Sequence, residues 1–197
     1  MTEWEKLRAG LTYNDFDREL FERRVAAKKL FRAYNRTEDG ETALRRELLT
    51  ELFRSLGRNV WIEPDFRCEF GKNIAIGDNT YINFGCVILD CAAVTIGADC
   101  LLGPNIGIYA VNHAADPEER TRGDCRGEPV SIGNRVWLGG DVKILAGVTI
   151  GDGAIVGTGS VVTRDIPAGV VAFGNPCRVI REITAADKWG FPGPEEF

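Results

Sequence analysis

The stretch VSIGNRVWLGGDVKILAGVTIGDGAIVGTGSVVTR, residues 130–164, repeats itself every six residues. One position of the repeat is always aliphatic, in a run of Ile132, Leu138, Ile144, Ile150, Val156 and Val162. A compact residue follows four positions later, at Val136, Val142, Val148, Ala154 and Ser160. An α-helix would need a period of about 3.6 and a half-buried strand a period of two, so neither explains a period of six.

The same period occurs earlier in the chain. It includes Ile76, Ile82 and Ile88, and after a two-residue slip at Val94 and Thr95 it continues through Ile96, Leu102 and Ile108. Hexapeptide repeats are typical of a parallel β-helix, in which about three hexads complete one turn and each aliphatic residue points inward. Many of the 23 glycines fall at the following position, where a tight corner needs a residue without a Cβ.

The repeat is interrupted once, by the polar segment HAADPEERTRGDCRGEP at residues 113–129. Long excursions from a rigid scaffold are usually functional or disordered. After Val162 about one more coil is expected, which the chain leaves at Gly174-Asn175-Pro176. We therefore assign residues 58–180 to the β-helix, with the excursion at 113–129, and residues 181–197 to a C-terminal tail.

Residues 1–57 follow a helical period and form the predicted N-terminal helical cap. Thr2 and Glu5 are spaced as a capping box for a first short helix, and Asp17 is placed to cap a second. A third helix is expected to carry Leu44, Leu48, Leu49, Leu52, Phe53 and Leu56, with Gly57 as its C-terminal glycine.

Composition excludes several classes of protein. The net charge of −5 argues against general nucleic-acid binding, and no apolar run is long enough for a membrane span. The six cysteines show no CxxC spacing, which favours reduced, buried thiols in a cytoplasmic protein. The sequence predicts a mainly β protein that needs no metal.

His113 is the only histidine in the chain, and it stands where the excursion begins. Histidine suits proton transfer near neutral pH, and the junction of a rigid coil with a long loop favours function over a hydrogen-bonded surface residue. A single histidine also excludes a zinc site built from three histidines.

Several segments carry a resemblance to a known family. They are TYNDFDREL (12–20), RCEFGKNIAIGDNTYINFGCVILD (67–90), Asn112-His113, IGNRVWLGG (132–140), VTIGDGAIVGTGSVVTRDIP (148–167) and GNPCRVIREI (174–183). Together they resemble the maltose and galactoside O-acetyltransferases, which are hexapeptide-repeat acetyltransferases related to the nodulation acetyltransferases. The resemblance spans nearly the whole chain. It implies a left-handed β-helix, acetyl-CoA as co-substrate and a homotrimer with sites between subunits.

The resemblance also implies roles for residues. His113 would be the general base for direct attack of an acceptor hydroxyl on the thioester, and the N–H of Gly140 would meet the oxyanion. The matching acceptor positions are Asp15, Arg24, Glu69, Tyr81, Asn83 and Asp90. The acetyl-CoA groove would use Trp137, Gly139, Gly140, Gly157, Thr158, Thr163, Arg164, Arg178 and Arg181.

Two departures from the family pattern leave the acceptor open. Glu69 stands where relatives carry a shorter polar or acidic residue, and Cys91 replaces a residue that is often polar. The favoured acceptor is a sugar hydroxyl. An amino-sugar, an antibiotic or serine remains an alternative, as does a non-catalytic structural β-helix.

Overall fold

The computed structural model describes residues 1–190. Its N-terminal part contains three helices, α1 (Glu3–Arg8), α2 (Arg18–Tyr34) and α3 (Thr42–Leu52). The predicted capping box is present, because Glu5 N donates to Thr2 Oγ1 at 3.2 Å and Thr2 N donates to Glu5 Oε2 at 2.8 Å. Asp17 caps α2 by accepting the N–H of Leu20 at 3.1 Å.

The predicted end of α3 is wrong. The helix ends at Leu52, and Ser55–Leu56 is already a strand that pairs in parallel with Ala75 and Ile76 of the next coil. Gly57 therefore does not cap a helix. A Cβ at Gly57 would lie 2.5 Å from the backbone N of Asp78, so this position must be glycine for two coils to stack.

The remaining chain forms a left-handed parallel β-helix of about six turns, which confirms the predicted fold class. Its strands build three faces. The first face contains Ser55–Leu56, Ile74–Ile76, Val94–Ile96, Val130–Ile132 and Thr149–Ile150. The second contains Trp61–Ile62, Tyr81–Ile82, Leu101–Leu102, Trp137–Leu138, Ile155–Val156 and Val170–Phe173. The third contains Arg67–Cys68, Val87–Leu89, Gly107–Tyr109, Lys143–Ile144 and Val161–Val162.

The aliphatic residues of the hexads form the core. Parallel register stacks Ile82 on Leu102, Leu102 on Leu138 and Leu138 on Val156, and all four side chains are buried. Because identical repeats place identical positions above one another, the interior is a continuous aliphatic column. The helical cap closes one end of this column through Ala27, Phe31, Leu49 and Leu52.

The excursion is ordered. Val111–His113 and Asp124–Gly127 pair in antiparallel fashion, and Tyr13–Asn14 from the helical cap adds a third strand beside Asp124 and Cys125. Between the two excursion strands lies the short helix α4 (Pro117–Thr121), capped by Asp116. The excursion thus ties the N-terminal cap to the middle of the β-helix.

The C-terminal part leaves the coil where the sequence predicts. Val170–Phe173 is the last parallel strand, and Arg178–Glu182 turns back on it antiparallel, across the boundary placed at residue 180. A 3-10 turn follows at Ala185–Asp187. The end of the predicted tail, residues 191–197, lies outside the described residues. Over residues 1–190, no helix is both long and apolar enough to cross a bilayer.

Candidate active site

His113 is the last residue of its strand and is exposed. It lies directly opposite Cys125 in the antiparallel pair, and its Nδ1 is 3.1 Å from Cys125 Sγ. Burial raises the pKa of Cys125 to about 11, so the thiol is neutral at neutral pH. The contact engages Nδ1 of His113, and when Nδ1–H donates to Sγ the unprotonated ring nitrogen is Nε2.

Three of the predicted acceptor residues form one ionic network. Arg24 Nη2 pairs with the Asp15 carboxylate, and Arg24 Nε pairs with Glu69. Arg24 Nη1 also donates to the carbonyl O of Asp15 at 3.0 Å, and the ring of Phe70 lies 5.2 Å below the guanidinium. The network joins α2 to the third face, and its side chains are mostly buried, so they are not solvated helix charges.

The ionic network also reaches the excursion. Asp15 N donates to Gly123 O at 2.8 Å, close to the strand that carries Cys125. Although burial lowers the pKa of Arg24, the carboxylates of Asp15 and Glu69 raise it by more, and the net shift is upward. Arg24 therefore remains a cation next to His113's strand.

Asp90, the sixth predicted acceptor residue, is fully buried. Its carboxylate accepts the N–H groups of Glu69 at 3.0 Å, Phe70 at 2.8 Å and Asn73 at 3.3 Å. Burial raises its pKa to about 6, and these backbone donors oppose that rise. In this structure Asp90 holds the backbone under Glu69 and does not reach the surface, so a direct contact with an acceptor is excluded.

Tyr81 and Asn83 lie elsewhere, on and just after a strand of the second face. Tyr81 donates to Glu63 Oε1 at 3.1 Å, and Trp61 Nε1 donates to the same oxygen at 2.9 Å. Asn83 Oδ1 accepts the N–H of Phe84 at 2.8 Å, and its amide nitrogen donates to no acceptor within residues 1–190. Glu63 was not predicted, because nothing in its sequence context shows that it receives both donors.

The predicted acetyl-CoA residues Trp137, Gly139, Gly140, Gly157 and Thr158 follow the same side of the coil. Trp137 is 52% exposed on the second face. A Cβ at Gly139 would lie 2.6 Å from Thr158 N, and one at Gly157 would lie 2.8 Å from Phe173 Cβ. The N–H of Gly140 donates to no acceptor within residues 1–190. The corner therefore offers an apolar wall and an available backbone donor.

The basic residues of the predicted groove differ in their surroundings. Arg164 and Thr163 follow the last strand of the third face and are exposed. Arg178 Nη1 donates to the carbonyl of its neighbour Cys177 at 2.8 Å. Arg181 already makes a two-point ion pair with Asp187, at 2.7 and 2.9 Å, so a phosphate would have to compete with that carboxylate.

Most of the predicted site residues on the coil lie at two opposite edges of the third face. The chain enters this face at what we call the glycine edge, which carries Asn83, Gly139–Gly140 and Gly157–Thr158. It leaves at what we call the histidine edge, which carries Glu69, the excursion with His113, and Thr163–Arg164. Five or six extended residues separate the edges, roughly 15–20 Å at about 3.3 Å per residue. One chain therefore does not bring His113 and Gly140 together.

The described part of the chain contains no group of three His, Cys, Asp or Glu side chains arranged to hold a metal ion. The site thus consists of one histidine, a partly buried ionic network and a glycine-lined corner. Such residues can move a proton, orient hydroxyl groups and donate to a developing oxyanion.

Comparison with known proteins places this arrangement in a class. Residues 129–164 match the family model of the bacterial transferase hexapeptide, with six repeats, so the chain is a hexapeptide-repeat transferase. Residues 6–57 match the maltose acetyltransferase hexapeptide capping motif. Galactoside O-acetyltransferase of Escherichia coli (strain K12) is 44% identical over 184 residues, 93% of this chain and 91% of that protein.

Two solved structures agree with this class. A maltose O-acetyltransferase from Clostridium difficile 630 superimposes with a TM-score of 0.91 at 44% identity, covering 93% of this chain and 98% of that one. A galactoside acetyltransferase in complex with coenzyme A has a TM-score of 0.91 at 42% identity, covering 98% and 97%. The chain belongs to the maltose and galactoside O-acetyltransferase family and is an acetyltransferase, which confirms the resemblance seen in the sequence.

Proposed function

We propose that this protein transfers acetyl from acetyl-CoA to a hydroxyl group of a sugar, with His113 as the general base. The observation that carries the proposal is the position of His113, which is exposed at the end of a strand while Cys125 holds its Nδ1. The names of the relatives, a galactoside and a maltose O-acetyltransferase, support a sugar acceptor.

The proposed reaction is a direct displacement. His113 Nε2 accepts the proton of the acceptor hydroxyl as its oxygen attacks the thioester carbonyl, and the N–H of Gly140 donates to the oxyanion. Collapse of the tetrahedral intermediate breaks the C–S bond, and the imidazolium returns its proton to the departing CoA thiolate. General-base assistance is worth about 10²–10⁴ in rate, and an oxyanion donor about 10²–10³.

The acceptor would lie between the ionic network and the second face. Arg24 and Asp15 offer donors and acceptors to sugar hydroxyls on one side. Tyr81 and Asn83 offer donors and acceptors from the other side, and Glu63 orients the phenol of Tyr81. A few fixed polar groups around an otherwise apolar site are what specific recognition of a polyhydroxylated ligand needs.

Acetyl-CoA fits the glycine edge. The exposed indole of Trp137 provides an apolar wall for the pantetheine arm, and the N–H of Gly140 at the same corner has no acceptor among residues 1–190. Arg178 is an exposed cation suited to the phosphates, and Arg181 can contribute if it exchanges Asp187 for phosphate. Arg164 is exposed at the histidine edge, so it would reach the same cofactor from a second copy of the chain. Thr163 lies beside Arg164.

The site would be completed by a second copy of the chain, in a homotrimer. His113 and Gly140 stand at opposite edges of the third face, so the glycine edge of one chain would meet the histidine edge of another. The outward side chains agree with this. Those of the first face are small and mostly polar, including Thr95, Ser131 and Thr149, whereas the second face exposes Leu101 and Trp137.

The test is a free-thiol assay of CoA release from acetyl-CoA with maltose, galactosides, amino-sugars, serine and chloramphenicol as acceptors. Sugar-dependent release is expected, and His113→Ala should reduce turnover at least about 10²-fold while the protein stays folded and oligomeric. Near-wild-type turnover by this variant would exclude His113 as the base. Faster release with an amino-sugar than with its hydroxyl analogue would favour N-acetylation.

A structural role without catalysis gives a different result in the same experiment. In that case no acceptor releases CoA, and isothermal titration with CoA shows no binding. Glu47→Ala is a suitable control for His113→Ala, because Glu47 is an exposed residue of α3, in the helical cap. It should leave turnover within about threefold of wild type, as expected for a surface change outside the reacting atoms.

A further inference from the structure

A basic groove lies between the C-terminal half of α2 and the first strand of the third face. Lys28 and Arg32 line it from the helix, Arg36 lines it from the turn that follows the helix, and Arg67 lines it from the strand. One carboxylate, that of Asp65, also reaches it. None of the four cations forms an ion pair within residues 1–190. Four converging cations are unexpected on a chain whose net charge is −5.

The groove is preformed. Phe31 packs beneath it and is buried in the core. The Asn35 side chain clamps α2 to the coil, because its Nδ2 donates to Phe66 O at 2.8 Å and its Oδ1 accepts Phe66 N–H at 3.0 Å. The volume of about 550 Å³ lies within the range of roughly 300–1,000 Å³ that is usual for sites of small ligands.

The groove continues from the ionic network described above. Lys28 follows Arg24 by one turn of α2, a rise of about 6 Å. Arg67 precedes Glu69 by two residues on the same side of its strand, about 7 Å along the face. Because Arg24 and Glu69 pair with each other, the ionic network lies one helical turn and two strand residues away from these two groove cations.

We propose that this groove binds an anionic group, a carboxylate or a phosphate, that the acceptor carries away from its reacting hydroxyl. The acceptor is then an acidic saccharide, with its neutral end near His113 and its charge among Arg32, Arg36, Lys28 and Arg67. Guanidinium groups bind both kinds of anion through paired hydrogen bonds, and two arginines facing each other across a groove suit them. This inference rests on the proposed function and specifies its substrate class.

The test compares neutral disaccharides with partners that carry an anionic group at the reducing end. Lactose is paired with lactobionate, and maltose with maltose 1-phosphate, in the CoA-release assay at low and high NaCl. We expect kcat/KM about tenfold higher for the anionic member at low salt, through KM, with the difference shrinking as salt screens the charges. A carboxylate-only or phosphate-only preference identifies which anion the groove selects.

The variant Arg32→Gln/Arg67→Gln should bring the ratio of anionic to neutral kcat/KM to about one, and Arg32→Lys/Arg67→Lys should restore part of it. Lys29→Gln is the matched control, because Lys29 is exposed on the same helix but does not line the groove, and it should keep the preference. A double Gln variant that keeps the preference, or that dissociates the oligomer, overturns the inference.

Failure of this inference is distinguishable from failure of the proposed function. Transfer to neutral sugars with no preference for their anionic partners overturns the groove assignment and leaves sugar acetylation standing. Absence of transfer to every saccharide, neutral or anionic, overturns both.

Discussion

The Cys125 thiol is the side chain that contacts the ring of His113. The thiol cannot supply the charge that a carboxylate would, since its pKa of about 11 keeps it neutral. We infer that its contribution is orientation: by accepting the N–H of Nδ1 across the 3.1 Å contact, it would leave Nε2 as the unprotonated nitrogen of the proposed base. Cys125 is therefore a positioning residue for the proposed base.

Removing this contact should lower kcat more than it changes KM. A neutral hydrogen bond is worth about 1 kcal/mol, so Cys125→Ala should reduce kcat about fivefold, whereas Cys125→Ser should retain most of it. The matched control is Cys91→Ala, which removes a buried thiol from the same apolar cluster but leaves the His113 contact intact. Equal losses in Cys125→Ala and Cys91→Ala would attribute the effect to packing.

At the scale of elements, the hexad period could be read from the sequence because each repeat carries its own inward aliphatic and its own corner. The helix starts at Thr2 and Asp17 were predictable for the same reason, since a cap is a local signal. The end of α3 was not predictable, because Leu56 fits a helical face and a first coil equally well.

Contacts between distant segments account for most of what the sequence missed in the site. The contact between His113 and Cys125 depends on a hairpin register that also involves Tyr13, more than a hundred residues away. The two donors on Glu63 likewise come from successive coils. The hexad period and the helical period carry no information about such pairings.

The corner glycines give a prediction at this scale. Gly139→Ala should destabilise the protein by about 1–3 kcal/mol and lower Tm by about 3–10 °C, because the new Cβ would meet the backbone of Thr158 at 2.6 Å. Gly40→Ala is the control, since nothing lies within 4 Å of its Cβ position. A thermal unfolding scan decides, and an unchanged Tm for Gly139→Ala would mean that adjacent coils can separate at little cost.

At the scale of the whole molecule, the second face carries apolar side chains that a single chain leaves exposed. Leu101 is 54% exposed between Tyr81 and Trp137, which it contacts through parallel pairing. A face of this kind, on a molecule whose predicted catalytic residues lie at opposite edges, supports assembly of several copies.

A charge on this face should separate the copies. Leu101→Lys is expected to give monomers by light scattering after gel filtration, with the far-UV circular dichroism of wild type and loss of CoA release. Ser131→Lys, on the polar first face, should change neither mass nor activity. A Leu101→Lys monomer that still transfers acetyl would contradict a site shared between chains.

Successive coils of the solenoid are stacked at the spacing of neighbouring β-strands, about 4.8 Å. His113 follows the coil that contains Gly107–Tyr109, and Gly140 belongs to the next coil, whose strand Trp137–Leu138 pairs with Leu101–Leu102. A coil inserted between them would shift the proposed base relative to the proposed oxyanion donor by one strand spacing. A coil added after Thr158 would leave the separation of His113 and Gly140 along the solenoid unchanged. The solenoid can therefore vary in length at its C-terminal end without moving these two residues relative to each other.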